Sequence, residues 1–138
     1  MLRGLRLVKQ GQRPANICLS QHLWRRCSTA TIKVVELSSD SHIAKAIASD
    51  KLSVLDFTAK WCGPCKMMAP EYEKMSKEFP QASFYKIDID NPDVQTSVSK
   101  HDISGVPTFK LLRNGSVVAE LTGADKQALR KYLQLHAK

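Results

Sequence analysis

The run Leu52-Ser-Val-Leu-Asp-Phe57 is followed, after a three-residue gap, by Trp61-Cys-Gly-Pro-Cys-Lys66 and then by Met68, Tyr72, Met75 and Phe79. The first run is apolar at nearly every position, the pattern of a strand covered on both faces. The last four residues are spaced 4, 3 and 4 apart, which predicts one buried face of a helix over about residues 62–79, with a kink at Pro70. Two cysteines separated by two residues therefore stand where a buried strand hands over to a helix. That placement decides how the rest of the chain is read.

Outward from this centre, β-branched runs alternate with helical spacing, so the architecture is α/β. Residues 31–36 read as a strand, and residues 40–48 as a helix with Ile43 and Ile47 on one face. A strand over 83–89 leads to a short helix after Pro92, with Val94 and Val98 facing inward. Asn114-Gly115 between two apolar runs, 107–113 and 116–121, is the strongest short-range hairpin signal. A closing helix begins near Asp125, with Leu129, Tyr132, Leu133 and His136 on one face.

The 138 residues suffice for one domain, and with 43% hydrophobic and 25% charged residues the composition is that of a globular protein, not a disordered or fibrous one. Charges interrupt every apolar stretch well before the roughly 18 residues that a membrane span requires. The net charge of +8 is unevenly placed. Residues 1–30 hold six basic groups, Arg3, Arg6, Lys9, Arg13, Arg25 and Arg26, and no acid, whereas residues 31–138 hold 15 basic and 13 acidic groups. An acid-free, arginine-rich segment with Leu2, Leu5 and Leu7 among its charges marks an organelle transit peptide. Serine is sparse there, which favours a mitochondrial address over a plastid one, and Arg25-Arg26-Cys27-Ser28 resembles a matrix-processing site. The expected division is a cleaved leader over 1–27, handled by the mitochondrial import machinery, and a domain over 28–138. A plastid or cytoplasmic location is the alternative, as is a basic arm that stays attached and touches nucleic acid or anionic lipid. Trp24 is that arm's only aromatic, so base stacking has little support and no nucleic-acid partner is expected.

Only Cys62 and Cys65 have informative spacing among the four cysteines; Cys18 and Cys27 read as incidental leader residues. A cysteine at a helix N-terminus faces unpaired N–H groups and the positive end of the helix dipole, both of which favour its thiolate. Cys62 is the expected nucleophile. Cys65, about one turn along, is the expected buried resolving thiol, with Gly63 allowing a tight turn into the helix and Pro64 giving up an N–H that has no partner there. Zinc is disfavoured because a CxxC normally needs two further ligands, and His22, His42, His101 and His136 show no ligand spacing. Asp56 stands out as a carboxylate inside an apolar strand, where desolvation raises the pKa and function or pairing is common.

Trp61-Cys-Gly-Pro-Cys-Lys66, Asp56 six residues before Cys62, Gly105-Val-Pro-Thr108 before the hairpin and Gly123 after the last strand together closely resemble the thioredoxin family over about residues 31–138. A CxxC beside a βαβ pattern is itself the standard description of a thioredoxin-like redox motif. The resemblance implies a central five-stranded mixed sheet flanked by four helices, and reduction of protein disulfides by dithiol-disulfide exchange. It implies no metal and no bound cofactor, electrons coming from NADPH through a flavoprotein thioredoxin reductase; partners would be that reductase and disulfide-containing target proteins. It gives Asp56 the task of taking the Cys65 proton through water, with Lys86 nearby. A cis Val106–Pro107 bond would present the Val106 backbone to a substrate peptide, Trp61 would supply apolar contact, and Gly105 and Gly123 would keep the docking surface flat. Thr58 stands where bacterial members commonly carry tryptophan, which leaves open which reductases recognise the chain. The rivals are an oxidase or isomerase on the same fold, against which Gly63-Pro64 speaks, and a non-catalytic docking subunit.

Overall fold

A computed structural model describes residues 34–138. The leader expected over 1–27, with Cys18 and Cys27, lies outside the described residues, as do positions 31–33 of the first expected strand. The remainder of that strand is β1 (Val35–Glu36), followed by α1 (Asp40–Ile47), β2 (Leu52–Thr58), α2 (Gly63–Glu78) and β3 (Ala82–Asp88). A 3-10 turn over Pro92–Val94 runs into α3 (Gln95–Lys100), and β4 (Thr108–Arg113), β5 (Ser116–Thr122) and α4 (Lys126–His136) complete the chain. The sheet has five strands in the order β1-β3-β2-β4-β5. β1, β3 and β2 run parallel, and β4 and β5 pair antiparallel to their neighbours, so the sheet is mixed as expected.

β2 occupies the middle of the sheet and every one of its seven residues is buried, which explains its near-continuous apolar run. Strand alternation sends Leu52 and Val54 to one face, where Met68, Tyr72 and Met75 of α2 and Leu129 and Leu133 of α4 cover them. Leu55 and Phe57 go to the other face, under Ile43 and Ala46 of α1 and Val94. Asp56 belongs to the first set, beneath α2, and this alternation is what aims its carboxyl at the cysteine helix. Tyr72 stands edge-on to Phe84 at 5.2 Å, and its hydroxyl lies 2.9 Å from the carbonyls of both Val54 and Tyr85, so one buried phenol ties α2 to two strands.

Ser39 caps α1 by accepting the His42 N–H, and Asp125 caps α4 by accepting those of Gln127 and Ala128. Asn114 and Gly115 have φ of 51° and 78°, the left-handed pair that a type I′ hairpin turn requires. α2 continues through Pro70, whose ring lies on the exposed side. α3 lacks a capping side chain of its own. Its Ser97 N–H instead donates to Asp40 Oδ1 at 2.8 Å, a cap lent by α1 across 57 positions, and the hydrogen bonds from Ser97 and Thr96 hold the Asp40 carboxyl below its usual pKa. Lys110 is buried in β4 opposite Glu120, with Nζ 3.0 Å from Glu120 Oε2. Near the same place the β4–β5 register shifts: Leu111 faces Ala119 and Leu112 faces Val117, a bulge that leaves Val118 without a cross-strand partner.

Candidate active site

β2 ends at Thr58, and the short loop that follows delivers Trp61 and Cys62 to the start of α2. Cys62 is the N-cap: its φ and ψ are extended, and its Sγ accepts the Cys65 N–H at 3.2 Å. One of the helix's unpaired donors is thus spent on the sulfur, the arrangement that lowers a thiol's pKa once the disulfide opens. Cys62 and Cys65 are joined as a disulfide with Cα atoms 5.3 Å apart. Burial does not separate the two, since Cys62 is 4% exposed and Cys65 5%. Surroundings do: Cys62 carries the capping hydrogen bond, whereas Cys65 lines an open cleft of about 420 Å³ with Asp56, Lys86, Thr58 and Lys66.

Asp56 sits in that cleft, buried, and Oδ1 accepts no hydrogen bond among the described residues. Desolvation pushes its carboxyl up to about 7, opposed by the positive charge of Lys86. Lys86 is its register partner on β3, which puts the two side chains on the same face of the sheet. Asp56 is thus a buried acid with Lys86 on the same face of the sheet, not a strand-end carboxylate reaching solvent.

The rim of the site is apolar and open. Trp61 is 68% exposed, so it is no core residue, and its Nε1 donates to Asp90 Oδ2 at 2.9 Å. The Val106–Pro107 peptide is cis, and Val106 packs against Ala59, Cys62 and Cys65 together with Ile89. Gly123 has φ of 102°, a backbone state that favours glycine, and its N–H donates to the Pro107 carbonyl at 2.8 Å. Turn geometry is thus sufficient reason for that glycine. Gly63 and Gly105 differ from it: a Cβ at Gly63 would meet nothing within 4 Å, and one at Gly105 only Thr122 Cγ2 at 4.0 Å. The tight turn expected at Gly63 is not a steric demand of this backbone. Two rim residues escaped the sequence reading. Asp90 carries no signal within its own loop, but Met67, 78% exposed beside the motif, had a visible signal, because it falls off the Met68–Tyr72–Met75 face.

Among the described residues no group of three or more His, Cys, Asp or Glu is placed to hold a metal ion, and no helix is long and apolar enough to cross a membrane. What remains is a reversible dithiol on a capped helix terminus, with a titratable acid behind it and an apolar rim in front.

The Thioredoxin family model matches residues 33–135, and the chain belongs to the thioredoxin family. It is 43% identical over 104 residues to Thioredoxin-1 of Saccharomyces cerevisiae, covering 75% of this chain and 99% of that protein. Against the chloroplastic Thioredoxin F-type of Spinacia oleracea it is 45% identical over 104 residues, 74% of this chain and 54% of that one. Among solved structures, thioredoxin from Trypanosoma brucei brucei superposes with a TM-score of 0.73 at 36% identity, covering 78% of this chain and 93% of that chain. The chain is thus a protein-disulfide oxidoreductase working through Cys62 and Cys65, a chemistry that uses no bound cofactor and takes disulfide-bearing proteins and a thioredoxin reductase as partners.

Proposed function

We propose that this thioredoxin is the general protein-disulfide reductase of a mitochondrial matrix, with residues 1–27 as a removable leader and 28–138 as the working domain. Reduced Cys62, as thiolate, attacks one sulfur of a target disulfide; a bond forms between the two sulfurs and the target's other sulfur leaves as thiolate. Cys65 then attacks Cys62 Sγ, closing the Cys62–Cys65 disulfide and releasing the target's second thiolate. The target gains two electrons and the protein loses two. Asp56 takes the Cys65 proton through water in the cleft, Lys86 holds the ionised form of Asp56 within reach, and the Val106 main chain receives an extended target segment in a β-like manner. Trp61, Pro64 and the Gly63, Gly105 and Gly123 surfaces form the docking face around Pro107. A flavoprotein thioredoxin reductase restores the dithiol with electrons from NADPH.

The observation that carries this reading is the buried Asp56, whose Oδ1 accepts no hydrogen bond among the described residues, lining one cleft with Cys65. A base placed behind the second cysteine serves the closing step, in which a bound target is let go reduced. The test supplies NADPH and a thioredoxin reductase: insulin-type disulfides are expected to be reduced at the expense of NADPH. Shuffling of disulfides without net NADPH consumption would transfer the chain to the isomerases.

The acid-free, arginine-rich composition of residues 1–27 supports the location, and that segment would engage the mitochondrial import machinery. Residues 1–35 fused to a fluorescent reporter are expected to carry it into mitochondria; a plastid or cytosolic signal would overturn the address.

A further inference from the structure

Trp61 is exposed over two thirds of its surface, so packing contributes little to fixing it. Its ring has two rotatable bonds and its indole a single donor. That donor is engaged by Asp90, which lies 29 positions away in the loop after β3. The loop itself is braced on every side. Ile89 N–H donates to Thr58 O at 2.9 Å, and its side chain packs on Ala59, Cys62 and Cys65. Asp90 N–H donates to Asp88 Oδ1 at 3.1 Å, while Lys60 Nζ stands 3.8 Å from Asp88 Oδ2. Gln95 Nε2 donates to the Ile89 and Asn91 carbonyls, and Asn91 Nδ2 to the Ser38 carbonyl. A braced acceptor therefore meets a ring that packing holds over only about a third of its surface.

We infer that Asp90 is a positioning residue that holds Trp61 in place as a preorganised wall of the docking face, and so selects for protein disulfides over small ones. The inference rests on the proposed docking role of Trp61. A side chain held before the target arrives loses no rotamer freedom on binding, whereas a loose one must be immobilised at that moment. A charged acceptor makes the hold stronger than a neutral one, and the amide of asparagine keeps an acceptor of the same shape. A small disulfide reaching Cys62 makes no use of the wall.

The test uses the full-length protein with NADPH and a thioredoxin reductase, and compares insulin with a small aromatic disulfide. Asp90→Ala is expected to raise KM for insulin about three- to tenfold with kcat unchanged, the cost of ordering one side chain on binding, and to leave reduction of the small disulfide as it was. Asp90→Asn should restore most of the loss. In a Trp61→Phe background, where the donor is gone, Asp90→Ala should add nothing. An unchanged KM in Asp90→Ala, an equal loss in the Trp61→Phe background, or a parallel slowing with the small disulfide would each overturn the inference. Trp61→Ala separates the two ideas. If it raises KM while Asp90→Ala does not, the docking role stands and the positioning role falls; if neither variant does, both fall.

Discussion

Replacing Cys65 with serine is expected to convert the protein from a turnover catalyst into a covalent trap. Cys62 keeps its capping hydrogen bond, since the donor is the Cys65 backbone N–H and a serine at that position still supplies it. Attack on target disulfides therefore survives, while the sulfur that would expel the target is gone. Multiple-turnover reduction should fall to background, and mixed disulfides through Cys62 should accumulate and be released by reductant. Cys62→Ser should trap almost nothing. The decisive comparison is between Cys65→Ser and the double Cys→Ser protein, each expressed in its own compartment. Equal capture by the two would sink the general reductase and advance a dedicated small-molecule reductase or a scaffold.

Asp56→Asn should move stability and rate in opposite directions. The carboxyl is raised from an ordinary 3.8 to about 7. Well below its ordinary 3.8 both folded and unfolded chains carry it protonated, and its burial costs nothing extra. As the pH rises from there the unfolded chain gives up the proton first, so stability drains away until about pH 7 and is constant above it. The full cost is on the order of 4 kcal/mol if no water softens it. Asparagine is neutral throughout, so the variant should resist urea better than the parent at pH 8 by up to that amount and about equally at about pH 3, below the ordinary carboxyl value. In the same variant the resolving step should slow by about tenfold or more near neutral pH, and the deficit should shrink as alkaline pH ionises Cys65 unaided. Attack by Cys62, which needs no proton removed at Asp56, should be largely unchanged. Equal slowing of both steps, or no stability gain at pH 8, would remove Asp56 from the role given to it.

The parts of this protein that were legible beforehand share a physical property: their meaning is local. The cysteine spacing, the Asn114-Gly115 turn, the all-apolar β2 and the Met68, Tyr72 and Met75 face each declare themselves within a few residues. Asp56 was legible for the opposite reason, as a violation of its own strand. What stayed hidden depends on pairs distant in the chain. Nothing near Asp40 announces that it will cap α3, and nothing near Asp90 that an indole will lean on it. Nothing near Lys110 announces its burial, because its partner Glu120 lies across the hairpin. Gly63 shows the converse error, a residue given a steric reason that the open space around it does not support.

The cap that Asp40 lends to α3 also sets an order in which the domain would come apart under tension. A six-residue helix has no independent stability, and among the described residues β1 pairs with β3 at the sheet edge through Val35 and Glu36, followed by the Leu37 N–H donating to the Lys86 carbonyl. A force applied at Val35 is expected to peel β1 from β3 first and then to draw α1 away. With α1 goes the carboxylate on Ser97, and also the backbone at Ser38 on which Asn91 leans. The next element to loosen is therefore not the next in the chain but α3 and the loop before it, while β2, β4 and the cysteine helix still hold together. Pulled from β1, the domain would thus release α3 and the Asp90 loop before the cysteine helix.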